Sequence, residues 1–472
     1  MRRRPVLVAF LSLAGASASA APASGSLPVI RQRSTAKVEV FEHAATSSRM
    51  EYVSNSGVCE STPGVNQRSG YFQVGDNMNM WFWFFEARHN PQNAPLVTWF
   101  NGGPGCSSMI GLFQEHGPCQ FYNGSDTPAN NPYSWNEHAN MLYIDQPIGV
   151  GFSYGTNNVD STKTASPYVW ALIQAFYANF KEYKSREFGI WTESYGGHYG
   201  PEFARYIMAQ NSAIEAGKVK GEKINLVALG VNNGWIHPSD NYQALIDYAA
   251  TNNHKKLISA QQQQTYTKTM QSRCLPALQK CWQTDSNRDC QNAVMTCKSA
   301  VESPLSRGNF DVYDVRTPPK SGFPPEMYIK YLQKSDIQQR IGAKKKYDEC
   351  PNAPLRNFAD FTDSRSFLGA LSNIVKANVT TLIWAGDADW ICNWMGNLAT
   401  ANEVKFPGQA KFKAAQLRPY KVRGVTKGEY KSVDNFSFLR IYQAGHEAAY
   451  YQPEASLQLF VQTMKRQAVF ST

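Results

Sequence analysis

A chain of 472 residues with 42% hydrophobic and 18% charged residues is too apolar for a disordered segment and long enough for a large buried core. Its formal charge is +10, and Arg2, Arg3 and Arg4 supply part of that at the extreme N-terminus. The remaining basic residues are scattered, and the one tight cluster, Lys344-Lys345-Lys346, reads as a solvated loop, so a nucleic-acid partner is not expected.

Met1 to Arg4 is a basic start, Pro5 to Leu13 a short apolar run, and Ala18-Ser19-Ala20 a small-residue cleavage site. Residues 1–20 are therefore expected to be a secretory signal peptide. The apolar run is too short to cross a bilayer, and no hydrophobic tail follows at the C-terminus, so no membrane anchor is expected. Residues 21–50 are small, polar and short of pattern, and read as a propeptide or a loose N-terminal arm. A catalytic domain is expected over 51–472.

Strand and helix patterns then alternate. Pro95–Phe100 and Asn140–Asp145 are short apolar runs of strand length. Val169, Leu172, Ile173, Phe176, Tyr177 and Phe180 repeat at helical spacing. Phe188–Thr192 is a strand and Tyr195 opens a helix. Ile224–Val231, Val379–Ala385 and Phe438–Gln443 are further strands, and Pro453–Met464 is an amphipathic helix with proline in its first turn. This alternation predicts an α/β fold with a mostly parallel central sheet covered by helices on both faces. About 236–349 the chain turns rich in Gln, Lys, Ser and Cys, and is expected to be a disulfide-stapled cap over the sheet.

The nine cysteines should mostly pair in an oxidising compartment, with one left over. Cys274, Cys281, Cys290 and Cys297 are expected to form two nested disulfides; without a CxxC pair or a nearby histidine repeat they do not read as a zinc site. Asn123, Asn378 and Asn435 head glycosylation sequons.

The chemistry centres on Thr192-Glu193-Ser194-Tyr195-Gly196. A tight turn between strand and helix would lift the Ser194 hydroxyl above the sheet, close to the G-x-S-x-G nucleophile elbow, with Thr192 where glycine is usual. Serine needs a base, and in this fold acid and histidine follow it in the chain. Of the eight histidines, His446 lies just past a late buried strand. Asp387 and Asp389, after another, compete for the acid. An oxyanion hole needs two converging N–H groups: one from Tyr195, the other from the loop Asn101-Gly102-Gly103-Pro104-Gly105.

Trp99 to Ser108 (WFNGGPGCSS), Ile144 to Tyr154 (IDQPIGVGFSY), Thr192 to Gly196 (TESYG), Ala385 to Cys392 (AGDADWIC) and Gly445-His446 together resemble the serine carboxypeptidases, most nearly the secreted fungal members. The resemblance implies an α/β-hydrolase fold and release of the C-terminal residue of peptides and proteins through an acyl-enzyme, best at acidic pH. It implies a catalytic Ser194, Asp389 and His446, an oxyanion hole from the Gly103 and Tyr195 amides, and a clamp of Asn101, Gly102, Glu115 and Glu193 on the substrate carboxylate. It further implies a Cys106–Cys350 disulfide and a free Cys392 beside the leaving-residue pocket. Glu447 follows the histidine where some members carry methionine, and an acid there suits either a basic leaving residue or another proton-sharing role. No metal or organic cofactor and no membrane partner is implied, and the expected location is extracellular, with vacuolar delivery as the alternative. An esterase or acyltransferase on the same fold and a non-catalytic binding protein are the rival readings.

Overall fold

From Met78 to Phe85 the chain sends side chains alternately into two apolar layers. Phe82 and Phe84 enter one with Phe72, Leu142, Phe176 and Phe203. Trp81, Trp83 and Phe85 enter the other with Trp99, Trp135, Trp191 and Phe460. The two-residue period of a strand thus builds one sheet with a core on each face. The computed structural model describes residues 29–33, 36–42, 49–122, 124–319, 324–361 and 364–472; the expected signal peptide and Asn123 lie outside them.

The strands are β1 (Val29–Arg33), β2 (Ala36–Glu42), β3 (Arg49–Ser54), β4 (Gln67–Gly75), β5 (Met78–Phe85), β6 (Leu96–Phe100), β7 (Cys119–Gln120), β8 (Ala129–Asn130), β9 (Asn140–Asp145), β10 (Tyr154–Gly155), β11 (Glu187–Glu193), β12 (Asn225–Asn232), β13 (Thr380–Gly386), β14 (Arg418–Val422), β15 (Val425–Val433) and β16 (Phe436–Ile441). β7 and β8 form a separate pair, and the main sheet runs β1-β2-β3-β4-β5-β9-β6-β11-β12-β13-β16-β15-β14, with β10 beside β5. Only the contiguous set β9-β6-β11-β12-β13-β16 is parallel. The sheet is therefore mixed, where the sequence pattern suggested mostly parallel. Antiparallel neighbours need only tight turns, and β1 to β5 form such a meander ahead of the first strand read from the sequence. β1 and β2 fall in the stretch expected to be a propeptide or loose arm. There Val38 and Val40 alternate with Lys37 and Glu39, and β2 pairs with β3.

Two helices cover the first layer. α1 (Thr162–Asn179) starts with a Ser161–Thr164 capping box and buries Val169, Leu172, Ile173 and Phe176. α2 (Gly196–Glu215) buries Tyr199, Phe203 and Ile207. Helix Pro453–Met464 covers the second layer with Leu459 and Phe460. None of the described helices is long and apolar enough to cross a membrane.

Between β12 and β13 the chain makes a long excursion through α3 (Pro238–Thr251), α4 (Ala260–Thr269), α5 (Leu275–Thr284) and α6 (Asn287–Cys297), and further helices follow the expected cap end at 349 before β13 begins. Cys281–Cys290 nests inside Cys274–Cys297. These cysteines pack in a third apolar cluster with Leu245, Leu278, Trp390 and Cys392. The excursion is thereby packed against the loop that carries Asp389. Its return is also tied down. Cys350 is bonded to Cys106, Lys344 N donates to the Tyr71 hydroxyl, and Lys345 Nζ donates to the Gly149 carbonyl. The lysine cluster is thus anchored at two of its three residues rather than lying as a free solvated loop.

Gly230 of β12 stands opposite Trp191 of β11, where a Cβ would come within 2.1 Å of the indole. Gly230→Ala should cost about 1–3 kcal/mol through overpacking, read as a lower Tm. An unchanged Tm would mean that Trp191 is not held by the layer around it.

Candidate active site

The C-terminal ends of the parallel strands meet at one edge, where open α/β sheets place their ligands. β11 ends at Glu193, and Ser194 takes a left-handed φ of +64° before α2 begins at Gly196. The turn is fixed on both sides: Ser194 N donates to Asn232 O (3.0 Å), and Ser194 O accepts from Trp235 N (2.8 Å) and Gly197 N (2.9 Å). The Thr192 departure from glycine is accommodated locally. Its hydroxyl donates to Gly196 O (2.9 Å), and its Cβ fills the space where a Gly196 side chain would stand, at 2.5 Å.

The loop after β6 runs against this turn. A Cβ on Gly102 would lie 2.4 Å from Tyr195 N and 2.8 Å from Ser194 Cβ, so only glycine lets the Gly102–Gly103 backbone approach the Tyr195 amide. Gly103 has a φ of +107°. Asp145, at the end of β9, anchors the far side of the loop: it accepts from Ser107 Oγ (2.6 Å), Ser108 N (3.0 Å) and Phe152 N (3.0 Å).

His446 follows β16 and Asp389 follows β13. His446 Nδ1 donates to Asp389 Oδ2 at 2.8 Å. Of the two competing aspartates, Asp387 faces away, towards His254 (3.2 Å) and Arg440 (3.8 Å). Burial disfavours the His446 imidazolium, but the Asp389 charge and hydrogen bond outweigh it and raise the pKa above the usual value. Cys392 is a buried free thiol among the described cysteines. Burial pushes its pKa well up, Asp389 adds to this, and a hydrogen bond with Ser194 opposes it.

Beside the elbow lies a buried carboxyl group. Asn101 is oriented by two donors to its Oδ1, Trp99 Nε1 (2.6 Å) and Gly111 N (2.9 Å). Its Nδ2 therefore faces Glu115 Oε1 and Glu193 Oε1, both at 3.2 Å. Burial, with the nearby Glu447, pushes Glu115 up to about 8. Burial and Glu115 raise Glu193 well above the carboxylate range. Burial and Glu193 do the same for Glu447. Glu115 Oε2 and Glu447 Oε2 have no hydrogen-bond partner. The cluster favours protonated carboxyl groups.

Three residues of the site were not singled out from the sequence. Asn232 closes β12, Asn233 follows it, and Tyr313 reaches in from the excursion. The Tyr313 ring lies 5.0 Å from that of His446, and its carbonyl accepts from His446 N (2.9 Å). The asparagines carried a usable signal, since they end a buried strand beside β11; Tyr313 carried none. Of the sequons, Asn378 is exposed. Asn435 uses both amide hydrogens, donating to Val375 O (3.0 Å) and Val379 O (2.8 Å), so a glycan there would displace one of these bonds.

Glu115 binds its proton up to about pH 8 in the fold, whereas an exposed glutamate loses it near pH 4.3. Between these values the folded state holds more protons, so stability falls as pH rises. Asp145, raised to about 6 by burial, has the same sign over a narrower window. The wild-type Tm should fall from pH 5 to pH 8, and Glu115→Gln should flatten the fall. A level wild-type profile would contradict these assignments.

The comparisons with known proteins place the chain in a family. The sequence model of the serine carboxypeptidase family matches residues 58–466. The chain is 58% identical over 423 residues to carboxypeptidase S1 of Penicillium janthinellum, covering 89% of this chain and all of that protein. It is 35% identical over 410 residues to a vacuolar serine-type carboxypeptidase of Saccharomyces cerevisiae, covering 84% of this chain and 78% of that one. In fold it is similar to a prohormone-processing carboxypeptidase from Saccharomyces cerevisiae, with a TM-score of 0.71, 20% identity, and coverage of 88% of this chain and 95% of that one. That likeness identifies the mixed sheet and its flanking helices as an α/β-hydrolase fold. The chain belongs to the serine carboxypeptidase family and is a serine-type peptidase.

Proposed function

We propose that the chain removes the C-terminal residue of peptides through an acyl-enzyme on Ser194, most efficiently on the acid side of neutrality. The observation that carries this reading is the Asn101–Glu115–Glu193 network, set directly against the Ser194 turn. An esterase needs no such clamp for a free carboxylate.

Ser194 Oγ forms a bond to the last peptide carbonyl carbon while His446 takes its proton. His446 returns that proton to the leaving amine as the C–N bond breaks. Asp389 holds the imidazole and stabilises its charged form. The Gly103 and Tyr195 amides hold the oxyanion, where a single donor is worth about 100–1,000-fold in kcat. Water, deprotonated by His446, then releases the shortened peptide.

Asn101, the Gly102 amide, Glu115 and Glu193 hold the substrate's terminal carboxylate. Two ionised glutamates would repel it, whereas a pair sharing a proton donates a hydrogen bond to it. Substrate binding therefore weakens as pH rises towards 8, where Glu115 loses its proton. The Glu193 carboxyl raises the His446 pKa only while it is ionised, so the protonated pair leaves His446 more readily neutral at acid pH. Glu447, pushed well up by burial and Glu193, is neutral on the acid side and acts as another proton-sharing group of the cluster. The four disulfides suit an oxidising compartment. With the N-terminal signal pattern they support secretion, with a vacuole as the alternative destination.

The test compares an N-blocked dipeptide with its C-terminal amide from acid to neutral pH. The free acid should be cleaved strongly on the acid side, with KM rising towards pH 8, and the amide poorly throughout. Equal turnover of both would remove the clamp and favour the esterase reading.

A further inference from the structure

The end of β12 lies between the strand that carries the serine and the strand that leads to the acid: Glu193 pairs with Asn232, and Asn232 with Trp384. Both asparagines there are fully buried. Asn233 has a left-handed φ of +39°, a backbone state that asparagine tolerates better than most residues. Its Oδ1 accepts from Gly386 N (2.9 Å), which fixes the orientation of the amide. Its Nδ2 consequently donates to Asp389 Oδ2 at 2.7 Å, the oxygen that also accepts from His446 Nδ1. Cys392 N at 3.2 Å gives that oxygen a further donor, and Ile391 N at 3.1 Å occupies the other oxygen.

Asn232 Nδ2 donates to Glu193 Oε2 (2.8 Å) and to the His446 carbonyl (3.0 Å). Reversing this amide would set its oxygen against that carbonyl, so its orientation is also fixed. One side chain thus bridges the carboxylate clamp to the backbone of the base, while the Asn232 carbonyl holds Ser194 N.

We propose that Asn232 and Asn233 are the positioning residues of the site: Asn233 aims the Asp389 carboxylate at His446, and Asn232 sets the distance between the Glu193 clamp and the catalytic histidine. The inference rests on the function proposed above. It predicts a division of labour that simple packing at a strand end would not give. Loss of the Asn233 amide affects every substrate, because it acts on the base. Loss of the Asn232 amide falls chiefly on substrates with a free carboxylate. Removing the Asn233 donor also leaves Asp389 a stronger acceptor for the imidazolium proton. The acid limb of kcat/KM then moves to higher pH, since turnover requires neutral His446. The charged or titratable groups that act on or face His446 are Asp389, Glu193, Asp311 and the Tyr313 ring, and all remain in the variants.

The experiment measures kcat, KM and the pH profile of the full chain on an N-blocked dipeptide free acid and on its methyl ester. Asn233→Gly keeps the backbone state, and Asn233→Ala removes the amide donor while keeping a Cβ and adding no charge; Asn232→Ala removes the bridge. Both Asn233 variants should lower kcat on both substrates, by about 100-fold if the carboxylate swings out of line, with the acid limb displaced upwards. Asn232→Ala should raise KM for the free acid about tenfold more than for the ester. Wild-type kinetics in these variants, or equal losses on both substrates in all of them with an unmoved acid limb, would overturn the inference. If Asn233→Gly fails to fold, Asn233→Ala is judged by the same criteria. Ester and peptide turnover that survives Ser194→Ala would defeat the proposed function itself. Turnover that requires Ser194 but ignores both asparagines would defeat only this inference.

Discussion

Glu115, Glu193 and Glu447 are withdrawn from water within one small volume, and among the groups that shape their pKa values the one cation is the His446 imidazolium beside Glu193. Two like charges about 4 Å apart repel by about 4 kcal/mol at an effective dielectric of 20, before any cost of desolvation. The cluster resolves this by holding protons. Much of the surrounding architecture follows from that requirement. Trp99 and Gly111 fix the Asn101 amide so that it donates to two carboxyl groups. Asn232 donates to Glu193 from the other side. A site of this kind is unstable without a rigid frame and gains from a ligand whose charge calls for a donor.

The frame is the row of strand ends. The Ser194 turn follows β11, the glycine loop β6, the asparagine pair β12, Asp389 β13 and His446 β16. Parallel neighbours bring these ends together although they lie hundreds of residues apart in sequence. The flanking layers keep them in register: Trp191, Trp135 and Phe460 lie in mutual contact beneath the edge. The excursion between β12 and β13 closes over the same edge. It is held by Cys106–Cys350 at the glycine loop, by Val315 N donating to Ala388 O (3.0 Å) near the acid, and by Tyr313 at the histidine.

Much of this was legible in the sequence, for identifiable reasons. Strands buried on both faces are continuous apolar runs, and Asn140–Asp145 and Pro453–Met464 match the structure at both ends. Ser194, the glycine loop and His446 stand out at strand ends, the serine in an elbow-like turn, the glycines in a tight run and the histidine as one of only eight. Pattern alone left Asp387 and Asp389 level, because both follow β13 by a few residues. Only the direction of the turn separates them, and that depends on donors such as Asn233 Nδ2 and Cys392 N. The β1–β5 meander was missed because its first strands mix polar with apolar residues rather than running continuously apolar. The anchoring of Lys344 and Lys345 was invisible because their acceptors, Glu51 and Gly149, are distant in the chain. Tyr313 belongs to a segment without periodicity whose place is set by backbone bonds to the Asp389 loop.

The central claim is that a proton held by the carboxyl cluster accompanies the substrate's carboxylate. Proton uptake on binding tests it most directly. Calorimetric titration of the Ser194→Ala protein with a blocked dipeptide free acid, in buffers of different ionisation enthalpy, gives the protons bound per ligand. The account predicts no net uptake in acid, where the cluster is already protonated, and rising uptake as pH approaches 8, the value to which Glu115 is pushed. Binding without proton uptake across that whole range would contradict it.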